Sequence, residues 1–473
     1  MRLESQLVVA LALVLVVSGV AGAGESPPED QDLSLIPPSP QAAPAPAAPA
    51  ASGALQKIFL EDAVTQSSLE GRFVPAPPPQ TPRWEERALL DVRKEWHAGD
   101  GLRLTYSGRL NLRAEDGLGF PNHENLTNDL REAFLSWEPL ARLFFDVGRI
   151  NLRSGVALGF NPTDFFKTRA VVEPLSVDPV VLREDRLGTL MLRAERVWSR
   201  GSLMAAYAPA VSSDSSIYTA FDLRSFDPMF DRTNAHDRWL LKGTVDVAES
   251  LSPELLAYTS QGRVLLGANL AENVGKSVVT YIEWSGGRRG TVSEEALAFG
   301  RTTGSLPAAA AGVLPGLGIV RFRNQLAVGA SYTTELPKIT FNLEFHYNQA
   351  GFSGADWDEW FRTGSGVRAS SPIAGALWYV RNYAADQQEL ISRRFAFLRM
   401  DWVDAFVPKL EVSGFIDADL TDGSTRLQLG ADYNLSDRWT VGGLVLVDSG
   451  GRHSDFGSLP QAGSVLLKVV RYL

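Results

Sequence analysis

Five histidines are spread over the 473 residues, at His97, His123, His236, His346 and His453, and there is no cysteine. Hydrolytic catalysis needs His beside Ser, or beside Asp and Glu, within hydrogen-bond reach. His346 stands two residues from Glu344, and in an extended strand two such residues share one face. The pair could serve as a carboxylate-held base, or as a hydrogen-bonded histidine in a wall, and the second is the expectation. Without cysteine there are no disulfides, no Cys-ligated zinc and no thiol chemistry. No phosphate loop, dinucleotide fingerprint or cluster of metal ligands is present, so neither an enzyme nor a cofactor or metal site is expected. The formal charge of -10 argues against nucleic acid as a partner.

The remaining chemistry is charge. Residues 153–187 carry Asn161-Pro-Thr-Asp-Phe-Phe166, then Lys167 and Arg169, then Arg183-Glu-Asp-Arg186. In a water-filled lumen, Asp164, Lys167, Arg169, Arg183, Glu184, Asp185 and Arg186 would form a charged constriction. On an ordinary surface loop they would be solvated. A second long stretch, 350–392, holds Asp356-Trp-Asp-Glu-Trp-Phe361, whose aromatic residues could pin a loop to a rim or, with the acids, meet a sugar or a divalent cation.

The elements that must position these groups are strands. Ile339, Phe341, Leu343, Phe345 and Tyr347 alternate with Thr340, Asn342, Glu344, His346 and Asn348, a period of two. Such segments recur from Leu102 to Leu473, and about 16 strands are expected, the first at 102–113 and the last at 464–473. One face of the strands gathers Arg103, Arg109, Arg193, Glu195, Lys242, Asp246, Glu283, Arg323, Glu344, His346, Arg399, Asp401, Arg426 and Asp432. So many charges on one face indicate water there, as selectivity groups or as cross-strand pairs. Connections alternate between tight ones, such as Glu138-Pro139 and Ser436-Asp437, and long ones, such as 153–187 and 350–392. Trp137, Trp198, Trp402, Tyr433 and Trp439 fall near tight turns, and Trp239 and Trp284 at opposite strand ends, as two aromatic belts would require. The fold class predicted is an all-β transmembrane up-and-down antiparallel barrel.

The N-terminus reads differently. Arg2, the apolar run Leu7–Val17 and Ala21-Gly22-Ala23 predict a cleaved signal peptide over 1–23, since about 11 apolar residues are too few to span a bilayer. Residues 24–52 are Pro/Ala-rich and read as an extended, disordered linker. Residues 53–100, with a possible helix over Leu55–Leu69, read as a periplasmic or plug-like extension, and 101–473 as the barrel.

Gly148-Arg-Ile-Asn-Leu-Arg-Ser-Gly155 followed by Gly159-Phe-Asn-Pro-Thr-Asp-Phe-Phe166 resembles a strand-then-loop segment of uncharacterised proteobacterial outer-membrane porin-like barrels, with Ser154 where those carry Trp. The resemblance implies a passive channel or export barrel and assigns no functional residue. The expectation is an outer-membrane channel for small hydrophilic solutes or ions, in a Gram-negative-type bacterium, reached after export to the periplasm. Its expected partners are outer-membrane lipid and lipopolysaccharide, the barrel-assembly machinery, its solutes, and a periplasmic partner met through residues 24–100. Two alternatives stand beside it: the barrel of a secretion, polysaccharide-export or motility machine, and a plugged structural or adhesive barrel.

Overall fold

Ile339–Asn348 forms the strand its alternation predicts, and the exposure of its side chains says which face is which. Phe341, Leu343 and Phe345 are 36%, 60% and 40% exposed, whereas Asn342, Glu344 and His346 are 4%, 2% and 1% exposed. Apolar groups lie outside and polar groups inside, the reverse of a water-soluble sheet.

The computed structural model describes residues 56–69, 73–77, 82–99, 101–116, 126–172, 175–220, 226–248, 251–307, 310, 312–314 and 319–473. The expected signal peptide and Pro/Ala-rich linker lie outside these residues. The strands are β1 (Gln56–Leu69), β2 (Trp84–His97), β3 (Leu102–Glu115), β4 (Leu126–Leu140), β5 (Leu143–Ile150), β6 (Thr189–Trp198), β7 (Gly201–Ala208), β8 (Arg238–Val245) and β9 (Glu254–Ser260). They continue as β10 (Arg263–Val274), β11 (Val278–Arg289), β12 (Arg321–Thr333), β13 (Ile339–Asn348), β14 (Arg394–Trp402), β15 (Leu410–Asp419), β16 (Thr425–Ser436), β17 (Trp439–Ser449) and β18 (Gln461–Tyr472). Each pairs antiparallel with its neighbours in sequence, and β1 also pairs with β18, so the 18-stranded sheet closes on itself.

The count is 18 rather than about 16. All the strands expected from the alternation are present as β3–β18, and the additional two, β1 and β2, come from the segment expected to be an extension or plug. Within the segment expected to be an extension, Gln56–Leu69 and Trp84–His97 are therefore wall, and the described part of the stretch expected to be helical is the strand that closes the barrel. Polar residues on the outer face explain why the period of two was hidden. In β1, Asp62 and Gln66 share the outer face with Leu60 and Val64, while Ala63 faces inward. In β2, Glu86 and Lys94 lie on the outer side and Leu89 on the inner. Tertiary pairing, not intrinsic pattern, makes these segments strands.

Both chain ends of the barrel lie at the end where the connections are short, as an even strand number requires. At the opposite end, the long connections carry short helices: α1 (Pro179–Glu184), α2 (Phe230–Thr233), α3 (Val292–Thr302), α4 (Gly354–Gly364) and α5 (Pro372–Asp386). Helices α3 to α5 pack into a cap of their own, with Leu297, Trp360, Leu377, Tyr379 and Val380 buried in it together with Val74 from the β1–β2 connection. Ser353 and Asp356 form a reciprocal capping box at the start of α4. The motif Asp356–Phe361 is thus resolved: Trp357, Trp360 and Phe361 form the cap core, and Asp356 holds a helix end.

The outer face of β13 gives a test. Leu343→Arg places a charge among exposed apolar groups and is expected to destabilise the barrel by about 2–4 kcal/mol in lipid vesicles. Thr340→Arg, on the inner side, is expected to cost far less. Urea unfolding of both variants in vesicles checks this, and equal costs would refute the assignment of faces.

Candidate functional site

The connection between β5 and β6, residues 151–188, does not stay at the rim. It enters the barrel and is held by carboxylates on the far wall. Glu283 on β11 accepts hydrogen bonds from the backbone N–H of Val156 (2.9 Å), Ala157 (3.1 Å) and Thr163 (2.8 Å), and from the Thr163 hydroxyl at 2.8 Å. Two strands further, Glu344 on β13 accepts from the N–H of Leu158 (2.7 Å) and Gly159 (2.9 Å) and from the Tyr281 hydroxyl at 2.6 Å. His346 lies 2.6 Å from the same carboxylate through Nε2. An irregular backbone brought indoors must find partners for its amides, and a carboxylate with two oxygens satisfies several at once.

Glycine makes this approach possible. Gly155 adopts φ +90°, and a Cβ on it would meet the Glu283 carboxylate at 2.4 Å. A Cβ on Gly159 would meet the rings of His346 and Phe397, both at 2.7 Å. The spacing of these glycines in Gly155-Val-Ala-Leu-Gly159 matches the two carboxylates they face.

A second anchor holds the other end of the insert. Asp185, just after α1, meets Arg109 of β3 at 3.0 Å and Arg131 of β4 at 2.9 Å. Asp91 of β2 meets the same two guanidinium groups at 2.8 Å and 2.6 Å. Arg131 lies at the bulge between β3 and β4, where Ser107 pairs with Glu132 and Gly108 with Leu130. A third anchor joins Asp178 to Arg399 of β14, while Gln428 of β16 accepts from the backbone N–H of Val177 at 3.2 Å. The insert also has an apolar foot: Phe165 and Phe166 are buried against Met191, Met204, Leu240, Leu256 and Tyr258 of β6 to β9. Phe165 stacks on Tyr258 with ring centroids 4.7 Å apart.

The residues expected to form a charged constriction all lie in this insert, but most of their charge is spent within it. Asp164 pairs with Arg186 at 2.8 Å, and both are buried. Arg183 donates to the carbonyls of Ser154 (2.8 Å) and Gly155 (3.0 Å). Arg169 reaches upward to Asp214 (3.1 Å) and to Asp386 of α5 (3.2 Å), which also holds Arg232 at 2.6 Å. Lys167 donates to the Asn161 carbonyl at 2.8 Å and sits 4.3 Å over the Phe160 ring. Burial pushes its ammonium below the ordinary lysine range, against the pull of Glu389, Asp164 and Glu283. The Glu184 side chain, 58% exposed, pairs at 4.0 Å with that of Arg153, 40% exposed.

The wall residues divide by height. Arg323 donates to the carbonyls of Arg289 (3.2 Å) and Gln349 (3.3 Å) near the long-loop rim, where Arg426 pairs with Asp448 at 2.7 Å. Toward the short-turn end, Arg193 meets Asp146 (3.2 Å) and also Glu195. There Lys242 meets Glu254 (2.9 Å), Asp432 meets Lys468 (3.1 Å) and Arg399 also meets Asp401 (2.6 Å). Asp246 accepts from Ser252 at 2.7 Å. Arg103 is exposed and makes no hydrogen bond or ion pair with a described residue. Cross-strand pairing is therefore the commonest use of these charges. His346 and Glu344 are sealed beneath the insert, which leaves a substrate no approach to them.

The aromatic residues named from sequence all lie on the outer face. Trp137, Trp198 and Tyr433 are exposed near the short turns, Trp402 packs against Phe406 at 4.5 Å, and Arg471 lies 5.3 Å over Trp439. Near the other rim, Trp239 stacks on Tyr207 at 4.2 Å. Trp284, expected at a strand end, instead lies in the middle of β11, which runs on to Arg289, and donates to Asn324 at 3.1 Å. The sequence reading missed Asp91, Arg131, Asp178 and Asp386, whose roles exist only across the lumen or between loops.

No family model matches the chain, and no curated protein matches it. Among solved structures, it is similar to Pseudomonas aeruginosa OccK11 (OpdR), at 12% identity and a TM-score of 0.47, over 88% of this chain and 95% of that one. It is also similar to a triple mutant of the Rhodopseudomonas blastica porin, at 10% identity and a TM-score of 0.39, over 89% of this chain and 100% of that one.

The anchors can be tested by removing Glu283 and Glu344 together as Ala. Hydrogen bonds to a charged acceptor are worth about 1.5–3 kcal/mol each, so cleavage by protease within 153–187 is expected to rise at least roughly tenfold. The barrel itself should keep its heat-modifiable migration. Unchanged cleavage would show that the apolar foot holds the insert without the carboxylates.

Proposed function

We propose that this chain forms a passive channel of the outer membrane for small hydrophilic solutes or ions, narrowed by the insert of residues 151–188. The observation that carries the reading is the inverted polarity of a closed wall: apolar side chains outward to lipid and charged ones inward to water. An 18-stranded barrel is too wide for wall side chains alone to fill, and here a loop occupies part of the bore. The insert sets the bore because it is tied to the wall on β3, β4, β11, β13, β14 and β16 at once. The partly exposed pairs toward the short-turn end, such as Asp432 with Lys468, suit a wet vestibule below it.

A plugged barrel is the second reading, favoured by the near-complete burial of Glu283 and Glu344 under the insert and by the cap of α3 to α5. The machine-component reading is not favoured by β1 and β2, which are wall strands rather than an extension toward a partner.

Conductance in a planar bilayer separates the first two. Stable ohmic steps are expected from the purified protein, and equally from protein lacking residues 24–55. Steps that appear only after that deletion would make the N-terminal segment a gate. Silence from both forms, in heat-modifiable protein, would leave a plugged structural barrel.

A further inference from the structure

Inside the mouth at the short-turn end, one patch of wall breaks the pairing rule that the rest of the lumen obeys. Lys57 of β1 and Arg93 of β2 stand directly opposite each other. Their strand faces inward here, as the burial of Asp91 and Arg87 on the same side shows. Arg103, at the start of β3, lies on the same face opposite His97, four residues nearer the mouth than Ser107, which faces Arg93. All four side chains are exposed. Like charges placed directly across a strand pair repel, and a wall built only for stability would put a carboxylate here. Among the described residues, no hydrogen bond or ion pair engages Lys57, Arg93 or Arg103, and Lys57 has only the Phe59 ring, 5.5 Å away. Two carboxylates share the patch: Glu95, between Arg93 and His97 on β2, and Glu138, opposite Gly101 and diagonal to Arg103. Asp91, the next acid inward, is committed to Arg109 and Arg131. Three fixed positive charges thus outnumber two negative ones.

We propose that Lys57, Arg93 and Arg103 form a binding site for a small oxyanion solute, one bearing a phosphate or a similarly compact group of anionic oxygens, at the short-turn mouth of the lumen. The proposal deepens the channel reading and rests on it for the water that fills this mouth. Guanidinium groups offer paired N–H donors that match two oxygens of such a group, and the lysine adds a point charge. Two arginines and a lysine held apart on rigid strands, with no internal partner, retain their full capacity for an incoming anion. Positive charge at an entrance also concentrates anions there before they reach the insert.

Binding of inorganic phosphate to the full-length protein in detergent, followed by calorimetry, tests the site without requiring conduction. Saturable binding is expected, with at least roughly tenfold loss in the double variant Arg93→Gln, Arg103→Gln, the loss of one charge-assisted interaction being worth about that much. Arg93→Lys keeps the charge and should bind within a few-fold of the unchanged protein. Relief of the Lys57–Arg93 repulsion should leave the double variant at least as stable to urea, whereas purely structural arginines would destabilise it when removed. Absence of saturable phosphate binding, or binding of unchanged strength in a heat-modifiable double variant, would overturn the proposal. Phosphate binding in a protein that never conducts would sink the channel reading and keep the site; conduction without phosphate binding would do the reverse.

Discussion

A sheet surrounded by hydrocarbon can have no free edge, because every unpaired N–H and C=O would be left without a partner. The ladder from Phe59–Tyr472 to Leu69–Gln461, which joins β1 to β18, removes the last edge. Once the wall is closed, side-chain alternation can divide it into an oily outside and a polar inside. The bore that results has room for a loop, and the other features follow from how that loop is housed.

Housing it is a problem of satisfying backbone amides away from bulk water. Glu283 and Glu344 solve it from the wall side, with glycines at positions 155 and 159 allowing the chain to come close enough. Electrostatics solve it at the opposite side, where Asp91 and Asp185 share Arg109 and Arg131. The cap is joined to the same unit through Asp386, which binds Arg169 of the insert and Arg232 of α2. In the cap, Arg381 lies 5.2–5.6 Å from the rings of Trp357, Trp360 and Trp378 and is paired with Asp455, so one cation fastens α5 to the last long loop. Charge in this molecule serves to pair across the wall and to position loops against it, and the few charges left over gain meaning from that contrast.

The barrel was legible in the sequence wherever one face was cleanly apolar, as in Ile339–Asn348 and Arg238–Val245. It was illegible in β1 and β2, where Asp62, Gln66 and Glu86 point outward and Ala63 and Leu89 inward. A one-dimensional period cannot reveal a strand whose two faces are mixed; only its neighbours do. The insert was legible as a long charged loop after the third expected strand. Its charges were expected to line the bore or to be solvated, yet Asp164 and Arg186 are buried against each other, Lys167 is buried on the Asn161 carbonyl, and Arg169 is buried against Asp386, far away in sequence. A pairing that spans the lumen leaves no trace in local spacing.

The closing ladder also carries a consequence for how the molecule comes into being. Its two strands are the first and the last of the wall, so the contact they make has nearly the greatest sequence separation the chain allows. Loop-closure entropy makes such contacts slow to form. While the wall assembles, β1 therefore waits with a bare edge until β18 arrives, a time in which it could pair with a neighbouring chain. Asp62 on the outward side of that edge is a charge of the kind that discourages strand-to-strand aggregation, and its cost in the finished wall can be understood as the counterpart of protection in the unfinished one.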